Sequence, residues 1–392
     1  MAVIKYGRTR NAVVALKIET NKGEDAFGVP GPDLAADFIR VGSVTPGTPQ
    51  DTQDPAELTG SLDAGAPIIG GVRGTLQLTA VARGSGTAGL APRWGRLLQA
   101  CTMKQVTVSP VAAAALAAAG TVRQGQLAAS YPTTAQALRG MFAQLAVNPA
   151  AGALAQVEDY TAGRVARFGY TFAAALDTTT TVAIPAQVLY VPTSKEEEFS
   201  SLTVYYYLDG WVWKYTGMVG TFSVTANTGQ PATVQFNLQG QLKAFERADI
   251  PSPITFENTD APQFKNGISR LDGMLAKVGA FTFDMGASLE NPPNPEASEG
   301  YDPAIVSARQ GGGNLNPLFQ ETTTVDLFTK FKAGTQMSYA AGLGKNPGNR
   351  IGFLCPQIVA TDFGQQAVGN VAAAGVPFRT TGQDSSLLIS VA

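Results

Sequence analysis

The chain has 392 residues, 44% of them hydrophobic and only 15% charged, which is apolar material for two or three cored domains and excludes disorder of the whole. A net charge of -2 offers no general attraction for nucleic acid or an anionic membrane, both of which need clustered Lys or Arg. Histidine is absent, which removes the usual general base, the commonest metal ligand and every Ser-His-Asp or Cys-His mechanism.

No cofactor is therefore expected, and no enzymatic activity. Cys101 and Cys355 are too few for a disulfide framework and lie outside any CxxC spacing, so both are expected as buried free thiols. No secretion signal is visible, and the most apolar run, residues 111–119, falls short of the ~20 residues that span a bilayer. A soluble protein without membrane contact is expected. With 43 Gly and 24 Pro and abundant Thr, Val and Ala, the composition favours short strands joined by turns, a mainly β fold.

Along the chain, residues 11–20 alternate as a strand. The Gly/Pro/Asp-rich stretch 22–55 follows with little core of its own, as a segment that orders on assembly or as a functional arm. Residues 71–83 set Leu76, Leu78 and Ala80 against Thr75, Gln77 and Thr79, one apolar face and one polar but uncharged. Pro92, Trp94, Leu97, Leu98 and Cys101 then have the spacing of a short amphipathic helix. The segment 102–194 interrupts this pattern with an alanine-rich start, readable as strand or helix, and three or four short strands between 160 and 191.

Residues 202–217, LTVYYYLDGWVWKYTG, form a hairpin around Asp209-Gly210, a pair suited to a type I′ turn. Two more strands repeat the uncharged polar face: Thr221, Ser223 and Thr225 alternate with Phe222, Val224 and Ala226, and Gln235 and Asn237 with Val234, Phe236 and Leu238. A proline- and acid-rich linker covers 251–264. Beyond it come a strand at 278–285, a loop at 291–303, a helix at 322–333 with Val325, Phe328 and Phe331 inward, and closing strands near 353–361, 376–381 and 387–391. The order of elements repeats, and residues 220–241 resemble 355–383, which argues for a duplication.

The one literal nucleotide motif, Gly84-Ser-Gly86-Thr-Ala-Gly89, lacks a following acid before Glu158 and any βαβ context, and reads as a turn. The glutamates at 196–198 read as a solvated loop or a ring-contact patch.

Two blocks, RGTLQLTAVARGSGTAGLAPRWGRLLQAC (73–101) and SLTVYYYLDG with GTFSVTANTGQPATVQFNLQG (201–240), resemble the tail tube proteins of bacteriophages with long non-contractile tails. The region from RLDGMLAKVGAFTFDMG onward is similar to the second half of longer members, while 102–194 has no counterpart. The resemblance implies two tandem tail-tube-type β-sandwich domains, each with a short flanking helix. The first would span 1–101 and 195–250 and the second 265–392; nothing about 102–194 follows from the resemblance, and the interruption itself is what reads as an inserted, mostly β subdomain expected on the outer surface.

It further implies a structural virion protein that stacks in rings around a DNA channel. Three two-domain chains would do the work of six single-domain ones, as a homo-trimeric ring with pseudo-six-fold symmetry. The expected lining is Thr75, Gln77, Thr79, Thr221, Ser223, Thr225, Gln235 and Asn237. Expected partners are other copies, tail proteins at the tube ends, and the tape measure protein followed by genomic DNA in the lumen, without sequence-specific binding. Assembly would occur in the bacterial cytoplasm and the product would reside in the virion tail. Another tail component of the same fold, or a β-rich glycan-binding surface protein, are the competing expectations.

Overall fold

The computed structural model describes residues 7–55, 63, 65–146 and 152–392, and it is mainly β. The chain begins with β1 (Ala12–Ile18), β2 (Phe38–Ile39), β3 (Ser43–Gly47), β4 (Gln50–Gln53), β5 (Ile68–Val72), β6 (Gly74–Val81), helix α1 (Gly95–Gln99) and β7 (Met103–Val108). Next come β8 (Val111–Ala115), β9 (Gln124–Gln126), β10 (Phe142–Ala146), β11 (Ala153–Tyr160), β12 (Val165–Phe168), β13 (Thr181–Ile184) and β14 (Gln187–Pro192). The long strands β16 (Trp211–Asn227) and β17 (Thr233–Arg247) follow β15 (Leu202–Leu208). The remainder comprises β18 (Ile268–Leu271), β19 (Met274–Leu275), β20 (Val278–Asp284), β21 (Ala287–Glu290), β22 (Ile305–Arg309), β23 (Gly312–Pro317), helix α2 (Glu321–Lys332), β24 (Met337–Leu343), β25 (Ile351–Ala360), β26 (Gly364–Val368), β27 (Val371–Thr380) and β28 (Leu388–Val391).

One pairing order occurs twice. The path β1–β15–β16–β17–β6–β3 recurs as β18–β24–β25–β27–β23–β20. Hairpin arms β4–β5 and β21–β22 interrupt the two paths at the same point, and α1 and α2 follow the same strand in each. The two paths join where Ser223–Asn227 of β16 pairs with Ala280–Asp284 of β20.

Local sequence explains the key turn and the layering. Asp209 and Gly210 both have positive φ, 41° and 97°, as a type I′ turn requires, and the turn launches β15 into β16. Every residue from Leu202 to Tyr207 is buried because β15 is covered on both sides. Val204 and Tyr206 face the main core; Tyr205 and Tyr207 pack under Phe27, Phe38 and the apolar residues of segment 250–256.

The same holds in the second half. Tyr339 and Phe353 face the main core, while Ala340 and Leu354 turn the other way into the core of the 102–194 segment. That segment packs against the outer face of the sandwich, with the main core between it and the opposite sheet.

Its stems are adjacent: β7 and β14 pair from Met103–Pro192 to Val108–Gln187, and the Thr193 amide donates to the Thr102 carbonyl at 3.0 Å. The alanine-rich start forms strand β8, in a sheet ordered β8–β13–β10–β11–β12–β9. A buried ion network ties the segment to the second half. Arg123 donates to Glu158 (2.6 Å) and Asp272 (2.7 Å), Arg167 reaches both, Lys330 of α2 donates to Asp272 at 2.8 Å, and the Ser338 hydroxyl donates to Glu158.

Two expectations need correction. The stretch 22–55 is not coreless: it contains β2 and β3, and it buries Phe27, Phe38 and Ile39. Only the β4–β5 hairpin leaves the body as an arm. In α2, Leu327 rather than Phe328 is buried, and exposed Phe328 meets Phe363 edge-on; Phe331 is half-buried and packs against the main core as expected, and the Val325 side chain lies outside the described residues. The segment 251–264 is strapped to the first half, through Thr255 amide to Leu34 carbonyl (3.0 Å) and Phe264 amide to Gln230 carbonyl (2.8 Å).

Candidate channel-lining surface

Eight strands make one continuous sheet in the order β3–β6–β17–β16–β20–β23–β27–β26. Strand alternation gives this sheet two faces. One carries Leu76, Leu78, Phe222, Val224, Val234, Phe236, Phe281, Phe283, Leu315, Val376 and Phe378 into the main core.

The other face carries all eight polar residues singled out from sequence, and the registers bring them into rows across β6, β17 and β16. Gln77 lies opposite Asn237, which lies opposite Thr221; Thr79 lies opposite Gln235, then Ser223; Thr75 lies opposite Gln239; Thr225 lies opposite Thr233. Gln77 donates to the Asn237 side chain at 3.0 Å. Thr221 accepts from the Ala287 amide at 3.2 Å, so the base of the β21–β22 arm leans on this face.

Sequence reasoning missed the continuation of the rows. Ser43 donates to Thr79 at 3.1 Å, and Thr45 stands opposite Gln77. Across the junction, Thr225 faces Thr282, which faces Asn314. Ser223 faces Asp284, which faces Gly312 and then Arg379. The alternation of Phe281, Thr282, Phe283 and Asp284 was the available signal. Strand β23, Gly-Gly-Asn-Leu-Asn-Pro, gave none, because glycine and proline read as a turn.

Chemically the face is a field of hydroxyls and amides with Asp284 and Arg379 as its charged members on these rows. Such groups form neutral hydrogen bonds with water and do not hold phosphates as clustered cations do. Among the described residues no group of three or more His, Cys, Asp or Glu is arranged to hold a metal. Cys101 and Cys355 are free and buried, and burial pushes both thiols up, away from the reactive thiolate.

The start of the Gly84–Gly89 loop is packed against the loop at 348–349, while Gly86 to Ala88 are exposed. The Gly86 amide donates to the Gly348 carbonyl at 3.0 Å, and a Cβ on Gly84 would collide with that same carbonyl. Glycine is needed there for close approach of two loops. In the 196–198 turn, Glu196 and Glu197 are exposed, while Glu198 accepts from Lys104 (2.5 Å) and Thr193 (2.6 Å).

Compared with known proteins, residues 9–380 match the sequence model of the family described as phage tail tube protein. No curated protein matches the chain.

Proposed function

The chain belongs to the phage tail tube protein family, and from that premise we propose that it polymerises as stacked trimeric rings whose joined inner sheets line a channel for genome DNA. Each chain then contributes two tandem tube domains, with segment 102–194 on the outside. The observation that carries this reading is the junction inside the chain, where β16 of the first pairing path meets β20 of the second.

That junction is a template for the contact between chains. The two ends of the eight-strand sheet, β3 and β26, each have one unpaired edge among the described residues, and exposed edges invite pairing. By the recurrence, β3 is equivalent to β20 and β26 to the far half of β16. Transferring the register sets Gly364 opposite Gly47 and Gln366 opposite Thr45 of the next copy. Closure through this one contact satisfies every edge.

Size selects the trimer. Twenty-four strands at about 4.8 Å spacing and about 40° tilt close a barrel roughly 48 Å across between backbones. Six whole chains would double that width, far beyond what a duplex needs. The polar, mainly uncharged lining lets DNA slide rather than bind. Electron microscopy of tubes assembled from the purified protein tests the reading: rings of about 122 kDa, three times 40.8 kDa, with three-fold and pseudo-six-fold symmetry are expected. Six-fold rings of whole chains would refute it.

A further inference from the structure

The two ends of the inner sheet carry opposite charge. Both hairpin arms leave at one end, after Gly47 and after Asp284, in register with Gln239 and Ser223. Among the described residues, 49–72 and 286–309 hold seven carboxylates against one cation, Arg309, which is itself paired with Asp384. The arms brace each other: the Val72 amide donates to Glu299 at 2.8 Å, the Tyr301 hydroxyl donates to Asp51, and Arg73 lies over the Tyr301 ring. A Cβ on Gly71 would collide with the Glu299 carbonyl. Asp54, Glu290 and Glu296 remain exposed at this rim.

At the other end, six residues and about 20 Å along the strands, lie two adjoining cavities of 430 and 570 Å³ that share Asn266, Gly267 and Ile268. Their walls carry Arg270, Lys345 and Arg350 in one and Lys265 and Lys277 in the other, with no carboxylate. None of these five cations has an ion-pair partner among the described residues. This is the end of the β16–β17 turn, because the Thr228 amide bonds to the Gly279 carbonyl and both residues line the larger cavity.

We infer that the basic double cavity receives the acidic arms of a second copy of this chain in the next ring, so that the tube grows head to tail by charge complementarity. The inference rests on the ring reading above and adds the residues that set polarity. Opposite charges on opposite rims favour head-to-tail contact, while head-to-head contact sets like charges together. Screening follows, since these are exposed charges.

The test uses full-length chains. Reversing the cavity (Lys265→Glu with Lys277→Glu) or the arms (Asp54→Lys, Glu290→Lys and Glu296→Lys) should leave rings of unchanged mass. It should raise the concentration needed for stacking about tenfold or more. Both reversals in one chain should restore tubes. Wild-type-like stacking by either single set overturns the inference, as does failure of the combined set to restore it when each alone abolishes tubes. Unimpaired stacking with loss of added polyphosphate binding by the cavity variant would mean an anionic ligand site instead. Absence of rings from the wild type would instead refute the ring reading.

Discussion

Replacing Arg123 by Met should detach the outer segment from the body of the protein. Arg123 and Arg167 both touch the two carboxylates of the network, Arg123 at the shorter distances: Glu158 has 3% side-chain exposure and Asp272 19%. Breaking a buried pair by removing one partner costs about 3–5 kcal/mol. Arg167 still reaches Glu158 at 3.3 Å, so the loss should sit near the lower limit, about 3 kcal/mol.

The pH dependence has a definite sign. Desolvation raises the Glu158 carboxyl despite Arg123, the Ser338 hydroxyl and Arg167. The folded state therefore binds the extra proton, and this group's contribution is lost as pH rises from its unfolded value through its folded one. Asp272 runs the opposite way. Desolvation pushes it up, but Lys330 and Arg123 outweigh that and hold it low, so its contribution is present above the unfolded value and lost in acid.

Without Arg123 the Glu158 carboxyl rises further, and the penalty should shrink as pH falls and that group takes up its proton. Urea denaturation at a series of pH values, in a double-mutant cycle with Glu158→Gln, measures this. A penalty independent of pH, or one that Glu158→Gln does not reduce, would refute the reasoning.

Three further outcomes are expected. Thr45→Cys with Gln366→Cys should form disulfides between chains under oxidation and yield closed covalent trimers on non-reducing gels; monomers alone would count against the transferred register. Joining Val108 to Gln187 through a short turn, which keeps the β7–β14 stem with Val188 and Tyr190 in the main core, and with Leu354 and Leu388 made polar because excision bares them, should leave rings intact and narrow the tube in micrographs; loss of folding would make the segment part of the core. Gln77→Lys with Asn237→Lys should permit assembly but slow DNA ejection, most at low salt where phosphate contacts are strongest, and ejection equal to wild type at every salt concentration would remove these residues from the lumen.

Much of the first half was legible because its strands alternate cleanly. Thr75 to Ala80 and Thr221 to Ala226 announce both faces, and Asp209-Gly210 announces the turn. The second half was harder to read. Its part of the polar face lies on strands that include Gly312, Gly313 and Pro317, and Gly364 and Gly375, where small residues carry the sheet without a side-chain pattern. Strand β3 was hidden inside a Gly/Pro-rich stretch because its Pro46 and Gly47 look like a turn, although Val44 lies opposite Leu78. The covering of β15 and β24 on both sides could not be foreseen, since which distant segment buries an outer face is a tertiary matter. The charge asymmetry of the two rims was written in the acids of 49–72 and 285–308, but it acquires meaning only when registers put both arms at one end.

The last strand has a consequence for how the chain comes to be folded. Strand β28 lies between β25 and β14, so the stem of segment 102–194 pairs with residues made some two hundred positions after it. Contacts of such long range close slowly, because a large loop must lose its freedom before any bond rewards it. Until Leu388 to Val391 emerge from the ribosome, β14 and β25 each stand with an open edge. Those two edges, rather than the free edges of β3 and β26, are where a nascent or truncated chain would be captured into aggregates.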